Sequence, residues 1–225
     1  MAVREQPGSE HAGLATRYLE TQLAGDLRGA LRLLDEALAR GASITDLQCH
    51  VIQAAQREVG ALWWSNQIGV AREHQASAIS QVALAHLFSQ AQPEPSRGIS
   101  VALACVEGEL HELPARLVCD FLELAGFTVS YFGGNLPTDS LLSLLEQERP
   151  DVVALSVTMT FNLPALRRTL EGIRKRLGEH QPILVGGPAL VDAPGLLTEL
   201  KVSTAGQTPA ELVAGVLDAL RERRH

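Results

Sequence analysis

The chain has 225 residues, 19 Lys and Arg against 26 Asp and Glu for a formal charge of −7, and 46% hydrophobic but only 4% aromatic residues. It is long enough to bury a core and too apolar for disorder, and its acidity argues against a phosphate-binding surface. No run of about 18 apolar residues marks a membrane span, the opening MAVREQPGSEH lacks a signal-peptide core, and three scattered cysteines, Cys49, Cys105 and Cys119, with no CxxC or zinc spacing, point to a reduced, cytoplasmic setting.

The first part of the chain reads as helical. Leu14, Tyr18, Leu19 and Leu23 mark a first helix. Leu27, Leu31, Leu34 and Leu38 fall at i, i+4, i+7 and i+11, the stripe of an amphipathic second helix, with Asp26 as its N-cap and Gly41 as its stop. A third runs from about 44 through Leu47, Val51, Ala55 and Val59 to Leu62 and Trp63, started by Thr45 and Asp46. A fourth runs from about 70 through Ile79, Val82 and Leu87. Short links between four such helices predict a four-helix bundle over 10–90.

The segment AQPEPSRG, 91–98, reads as an interdomain linker. Beyond it, short apolar runs at 99–105, 128–132, 152–156, 183–185 and 202–204 alternate with helical patterns at about 114–125, 138–148, 163–177, 189–199 and 208–222. This alternation predicts a five-stranded parallel, flavodoxin-like (Rossmann-type) α/β domain over 98–225. Ligands of such sheets bind beyond the C-terminal strand ends. There the chain carries Glu109 and His111 after the first strand, Ser156-Val157-Thr158 at the end of the third, and Gly186-Gly187 at the end of the fourth. Glycines at a strand end let a backbone approach a ligand closely. No Ser-His-Asp or Cys-His constellation stands at a strand end, so a binding protein rather than an enzyme is expected.

In order and spacing these elements resemble the cobalamin-binding domains, whose pattern is Asp-x-His-x-x-Gly, then Ser-x-Leu or Ser-x-Thr, then Gly-Gly. The loop here is Glu109-Leu110-His111-Glu112-Leu113-Pro114; residues 115–155 separate it from Ser156, and residues 159–185 separate Thr158 from Gly186. The resemblance implies that His111 replaces the benzimidazole of the cofactor as lower ligand of cobalt. It also implies that Ser156, Val157, Thr158, Gly186 and Gly187 line the slot for the displaced nucleotide tail, with Glu112 and Leu113 on the cofactor loop. A carboxylate on the second ring nitrogen fixes the tautomer of such a histidine and raises its basicity. Glu109 stands where the family has Asp, and Pro114 where it has Gly.

The helical half extends the likeness. Trp63, nine residues, then Glu73-His74, within REVGALWWSNQIGVAREHQAS, resembles the light-sensing CarH family of adenosylcobalamin repressors. That resemblance implies a bundle over the upper face of the cofactor, Trp63 packed on the adenosyl group, Glu73 bonded to it, and His74 at the pocket edge. Trp64 occupies the position of a histidine that ligates cobalt after illumination in those repressors, and a Trp does not ligate. Only about ten residues precede the first helix, so direct DNA binding is not expected. Shorter relatives, the photocobilins, add a bilin such as biliverdin; Trp64, Arg57, Arg72 and Arg116 are the side chains that would face one. These readings together predict an adenosylcobalamin photoreceptor in which Co–C photolysis drives a domain or oligomer change. Its partners would be a second copy, as a dimer, or a protein effector, with no membrane. The alternatives are a corrinoid carrier protein of a methyltransferase system and a cobalamin-free interaction module.

Overall fold

In the computed structural model, residues 7–190, 195–204, 206 and 208–222 are described, and the chain divides into two units between Ala91 and Gln92. The helical unit holds α1 (Pro7–Ala24), α2 (Leu27–Ala39), a rod made of α3 (Ile44–Asp46), a π-helical stretch (Leu47–Ile52) and α4 (Gln53–Trp64), and α5 (Val70–Phe88). Asp26 caps α2 as expected, its Oδ1 accepting from the Gly29 N–H at 2.8 Å. The leucine stripe of α2 is only part of its buried face. Ala30, Leu33, Leu34 and Ala37 are buried, whereas Leu27, Leu31 and Leu38 are half-buried. Small residues at 30 and 37 let a neighbouring helix approach closely, and this draws the contact face toward them.

Two other expectations change. Ser43, not Thr45 or Asp46, is the N-cap of the third rod: its Oγ accepts from the Asp46 N–H at 3.0 Å. Val82 lies on the outer face of α5 and is 44% exposed, while Ile79, Ala83, Leu84 and Leu87 are buried. Inside the bundle, Ser80 Oγ accepts from Gln22 Nε2 at 2.7 Å and from Gln56 Nε2 at 2.9 Å, and meets Tyr18 OH at 3.3 Å. Polar bonds therefore tie α1, α4 and α5 together within the apolar core.

The second unit runs β1 (Ser100–Cys105), α6 (Leu113–Leu124), β2 (Thr128–Tyr131), α7 (Thr138–Glu148), β3 (Val152–Ser156), α8 (Leu163–Leu177), β4 (Ile183–Gly186), α9 (Leu196–Leu200), β5 (Ser203–Thr204) and α10 (Pro209–Glu222). All pairings are parallel, in the order β2-β1-β3-β4-β5. Strands β1 and β3 are buried on both faces, as their unbroken apolar runs require. The helix expected over 189–199 is a 3₁₀ turn, Pro188–Leu190, and α9; residues 191–194 lie outside the described residues. The strand order reverses between β1 and β3, so the loops leaving these two strands diverge and open a crevice at their C-terminal ends. Among the described residues no helix is long and apolar enough to cross a membrane.

Candidate functional site

The loop after β1 turns sharply at Gly108, whose φ is +85° and where a Cβ would come within 2.9 Å of Asn162 Oδ1. This turn sends the Glu109 side chain inward, where it is fully buried. Its Oε1 accepts from the His111 N–H at 3.0 Å and lies 2.5 Å from His111 Nδ1. Its Oε2 accepts from the Thr158 N–H at 2.9 Å, the Met159 N–H at 3.0 Å and Asn162 Nδ2 at 3.0 Å. The extra methylene of Glu over Asp thus lets one carboxylate hold the histidine and bind the loop after β3 as well. Burial pushes its pKa up, but the bonds from His111, Met159 and Asn162 outweigh this and bring it from 4.5 down to about 2. The carboxylate is therefore ionised, Nδ1 of His111 is its hydrogen-bond donor, and a metal would be ligated through Nε2. The His111 side chain is 45% exposed, so it is accessible to a ligand.

Pro114 falls in the first turn of α6, where a missing N–H forfeits no helical bond. Leu113 begins that helix and Glu112 precedes it, the Glu112 carbonyl accepting from Tyr131 OH at 3.3 Å. Ser156, at the end of β3, pairs in register with Cys105 on one side and Gly186 on the other. Gly187 has φ +123°, and a Cβ there would lie 2.0 Å from the Val157 carbonyl oxygen, so only glycine fits. Val157 itself is fully buried in the apolar core, so its side chain packs the sheet and its backbone alone is at the strand end. Thr158 Oγ1 is buried without a hydrogen-bond partner, an orphan of the kind a bound polar group would satisfy. Burial and the neighbouring Glu109 raise the Cys105 thiol to about 12, leaving it an inert packing group.

Two parts of this site were not singled out from sequence. Asn162 stands at the N-terminus of α8 and makes no side-chain cap bond; its Nδ2 donates to Glu109 instead of facing solvent. The loop Gly133-Gly134-Asn135 clamps the Glu109 turn: Asn135 N–H donates to the Glu109 carbonyl at 2.9 Å, and Asn135 Oδ1 accepts from the Gly108 N–H at 3.0 Å. An Asn before Leu-Pro and a Gly-Gly-Asn both read as ordinary cap and turn chemistry. The Gly-Gly after a strand was the one usable signal.

In the helical unit, Trp63 and Trp64 end α4 and are 36% and 78% exposed. Glu73 lies in the first turn of α5, where an acid suits the helix dipole. Its Oε2 contacts His74 Nδ1, and its Oε1 accepts from Ser77 Oγ at 2.7 Å. His74 is exposed. Of the arginines named for a bilin, Arg116 is instead paired with the buried Asp120 at 2.9 Å, and Arg72 donates to Gln75 Oε1. Arg57 is exposed.

Residues 99–214 match a B12 binding domain, and residues 14–88 match a second domain of the same description. The chain belongs to the B12-binding family. This B12-binding chain is 27% identical over 193 residues to methionine synthase of Mycobacterium tuberculosis, covering 83% of the chain and 16% of that enzyme. It is 30% identical over 189 residues to the HTH-type transcriptional repressor CarA of Myxococcus xanthus, covering 82% of the chain and 60% of the repressor. The chain thus spans less than two thirds of both relatives. Its fold is that of the monomethylamine corrinoid protein of Methanosarcina barkeri, with a TM-score of 0.78 at 16% identity, over 93% of this chain and 98% of that one. A corrinoid is the cofactor of this B12-binding domain. The residues present fit one: an exposed imidazole oriented by a buried carboxylate, an orphaned hydroxyl at Thr158, and a strand end at Gly187 that excludes any side chain.

Proposed function

We propose that the chain is a light-responsive adenosylcobalamin sensor, and the observation that carries the cofactor half of this reading is the buried Glu109 carboxylate holding the half-exposed His111 at the β1/β3 crevice. His111 would ligate cobalt from below through Nε2. Ser156, Thr158, Gly186 and Gly187 would receive the nucleotide tail. When bound, adenosylcobalamin supplies a cobalt–carbon bond that light cleaves. Trp63 would cover the adenosyl group, since a flat indole packs well on a nucleoside, and Glu73 would accept from its ribose hydroxyls. Support comes from the Trp63, nine residues, Glu73-His74 segment and from the 30% identity to CarA. With the adenosyl group gone, Trp63 and Glu73 lose what they hold, and the helical unit is freed to change a dimer or effector interface. A bilin such as biliverdin as second chromophore belongs to the same reading, with Trp64, Arg57 and Arg72 among the exposed side chains that would face it.

The second reading is a corrinoid carrier serving a separate methyltransferase; the fold shared with the monomethylamine corrinoid protein across 98% of its length favours it. Competition between adenosyl- and methylcobalamin, followed by size-exclusion chromatography in darkness and after green light, separates the two. The sensor reading predicts preference for the adenosyl form and an elution volume that shifts on illumination. Preference for the methyl form, or an unchanged elution volume after complete photolysis, contradicts it.

A further inference from the structure

Most of the Pro-rich segment that reads as a linker is bound to the C-terminal end of α6. The Glu94 N–H donates to the Leu124 carbonyl at 2.8 Å, and the Arg97 N–H donates to the Gly126 carbonyl at 2.8 Å. Arg97 Nε donates to the Ala125 carbonyl at 2.6 Å, and its guanidinium carbon lies 5.3 Å from the centre of the Phe127 ring. Carbonyls at a helix end lack an intrahelical donor, and a cation is favoured both there and over an aromatic face. Gly126 has φ +85°, and a Cβ there would lie 2.3 Å from the Pro95 carbonyl oxygen, so a side chain would push the segment away. On the other side, the Gln90 N–H donates to the Leu87 carbonyl and the Ala91 N–H to the Phe88 carbonyl, each at 3.0 Å, which continues the end of α5. Only Gln92 and Pro93 lie between these two sets of bonds.

We propose that residues 94–98 are a strap that locks the linker to α6, so that the hinge between the two units is Gln92–Pro93 alone. The proline ring fixes the φ of Pro93, and each proline confines the residue before it, Gln92 and Glu94, to extended backbone. The free joint is therefore a few bonds long and spans at most about 7 Å. The helical unit turns on it as one body instead of trailing on a loose tether. The strap is held by the helix whose first turn follows the His111 loop, so the hinge is anchored to the element that carries that loop. The strap is a property of the chain whichever corrinoid it holds. Resting on the sensor reading, the rearrangement after photolysis is a rotation about these two residues.

The Arg97–Gly98 bond is itself a trypsin site, and its cleavage in the full chain, bare and loaded with hydroxocobalamin, tests the strap. Products are identified by mass spectrometry, and each rate is compared with that of a matched free peptide of residues 90–101. Cleavage after Arg97 should be about 100-fold slower in the wild type than in its peptide, since the protease cuts the opened segment and three hydrogen bonds oppose opening. Gly126→Ala, whose methyl group collides with Pro95, should speed the cut about tenfold. Arg97→Lys keeps the cleavage site but not the Nε bond or the flat stack, and should speed it several-fold. Circular dichroism verifies that both variants keep their fold. The chain loaded with adenosylcobalamin should resist the cut equally in darkness and after green light. An elution volume unmoved by light, with Arg97 still resistant, would contradict the sensor reading and leave the strap standing. Cleavage of the wild type at the rate of its free peptide, equal rates in wild type and Gly126→Ala, or a wild type that opens at Arg97 on illumination would overturn the proposal.

Discussion

Glu109 keeps its charge in a fully buried position because five donors converge on it: the His111 N–H and Nδ1, the Thr158 and Met159 N–H groups, and Asn162 Nδ2. Its folded pKa of about 2 lies below the ordinary 4.5, so the stabilisation it gives is fully present above 4.5 and is lost as pH falls toward 2. Glu109→Gln removes the charge and turns an NH2 toward groups that are themselves donors. The variant should be less stable than the wild type at pH 7, and the gap should close as pH falls below 4.5, as urea denaturation at stepped pH would reveal. A gap that stays constant down to pH 2 would mean that the charge is not what the site holds. The same change should weaken corrinoid binding by about 10- to 100-fold, the usual effect of removing a partner that orients a metal ligand.

At the scale of elements, periodicity located the helices and strands but not everything that joins them. The runs at 152–156 and 183–185 became β3 and β4 nearly residue for residue, since strands buried on both faces must be continuously apolar. The π-turn at Leu47–Ile52 was invisible, because one added residue leaves a leucine and valine stripe looking helical. The tie among α1, α4 and α5 was also invisible, because Gln22, Gln56 and Ser80 carry no mark in sequence that they are buried and bonded to one another. Ser80→Ala should cost about 1–3 kcal/mol, since the Gln22 and Gln56 amides lose an acceptor where water does not replace it. Equilibrium urea unfolding at neutral pH checks this, and an unchanged midpoint would show that the network contributes nothing.

For the whole molecule, the sequence disclosed two architectures and the chemistry at the strand ends, because order and spacing survive substitution. His111, Ser156 and Gly187 all stand at the ends of strands flanking or next to the β1/β3 switch point. The replacement of Asp by Glu109 was legible as a departure, but its consequence was not: the longer arm reaches Thr158, Met159 and Asn162, which only the fold brings near. The proposed function rests on His111 being the lower ligand of a corrinoid. Electron paramagnetic resonance of cob(II)alamin bound to protein carrying ¹⁵N-histidine tests that directly. The account predicts that each cobalt line splits into a doublet, from a single axial ¹⁵N, and that His111→Ala abolishes this splitting. A triplet, from the ¹⁴N of a retained benzimidazole, would contradict it.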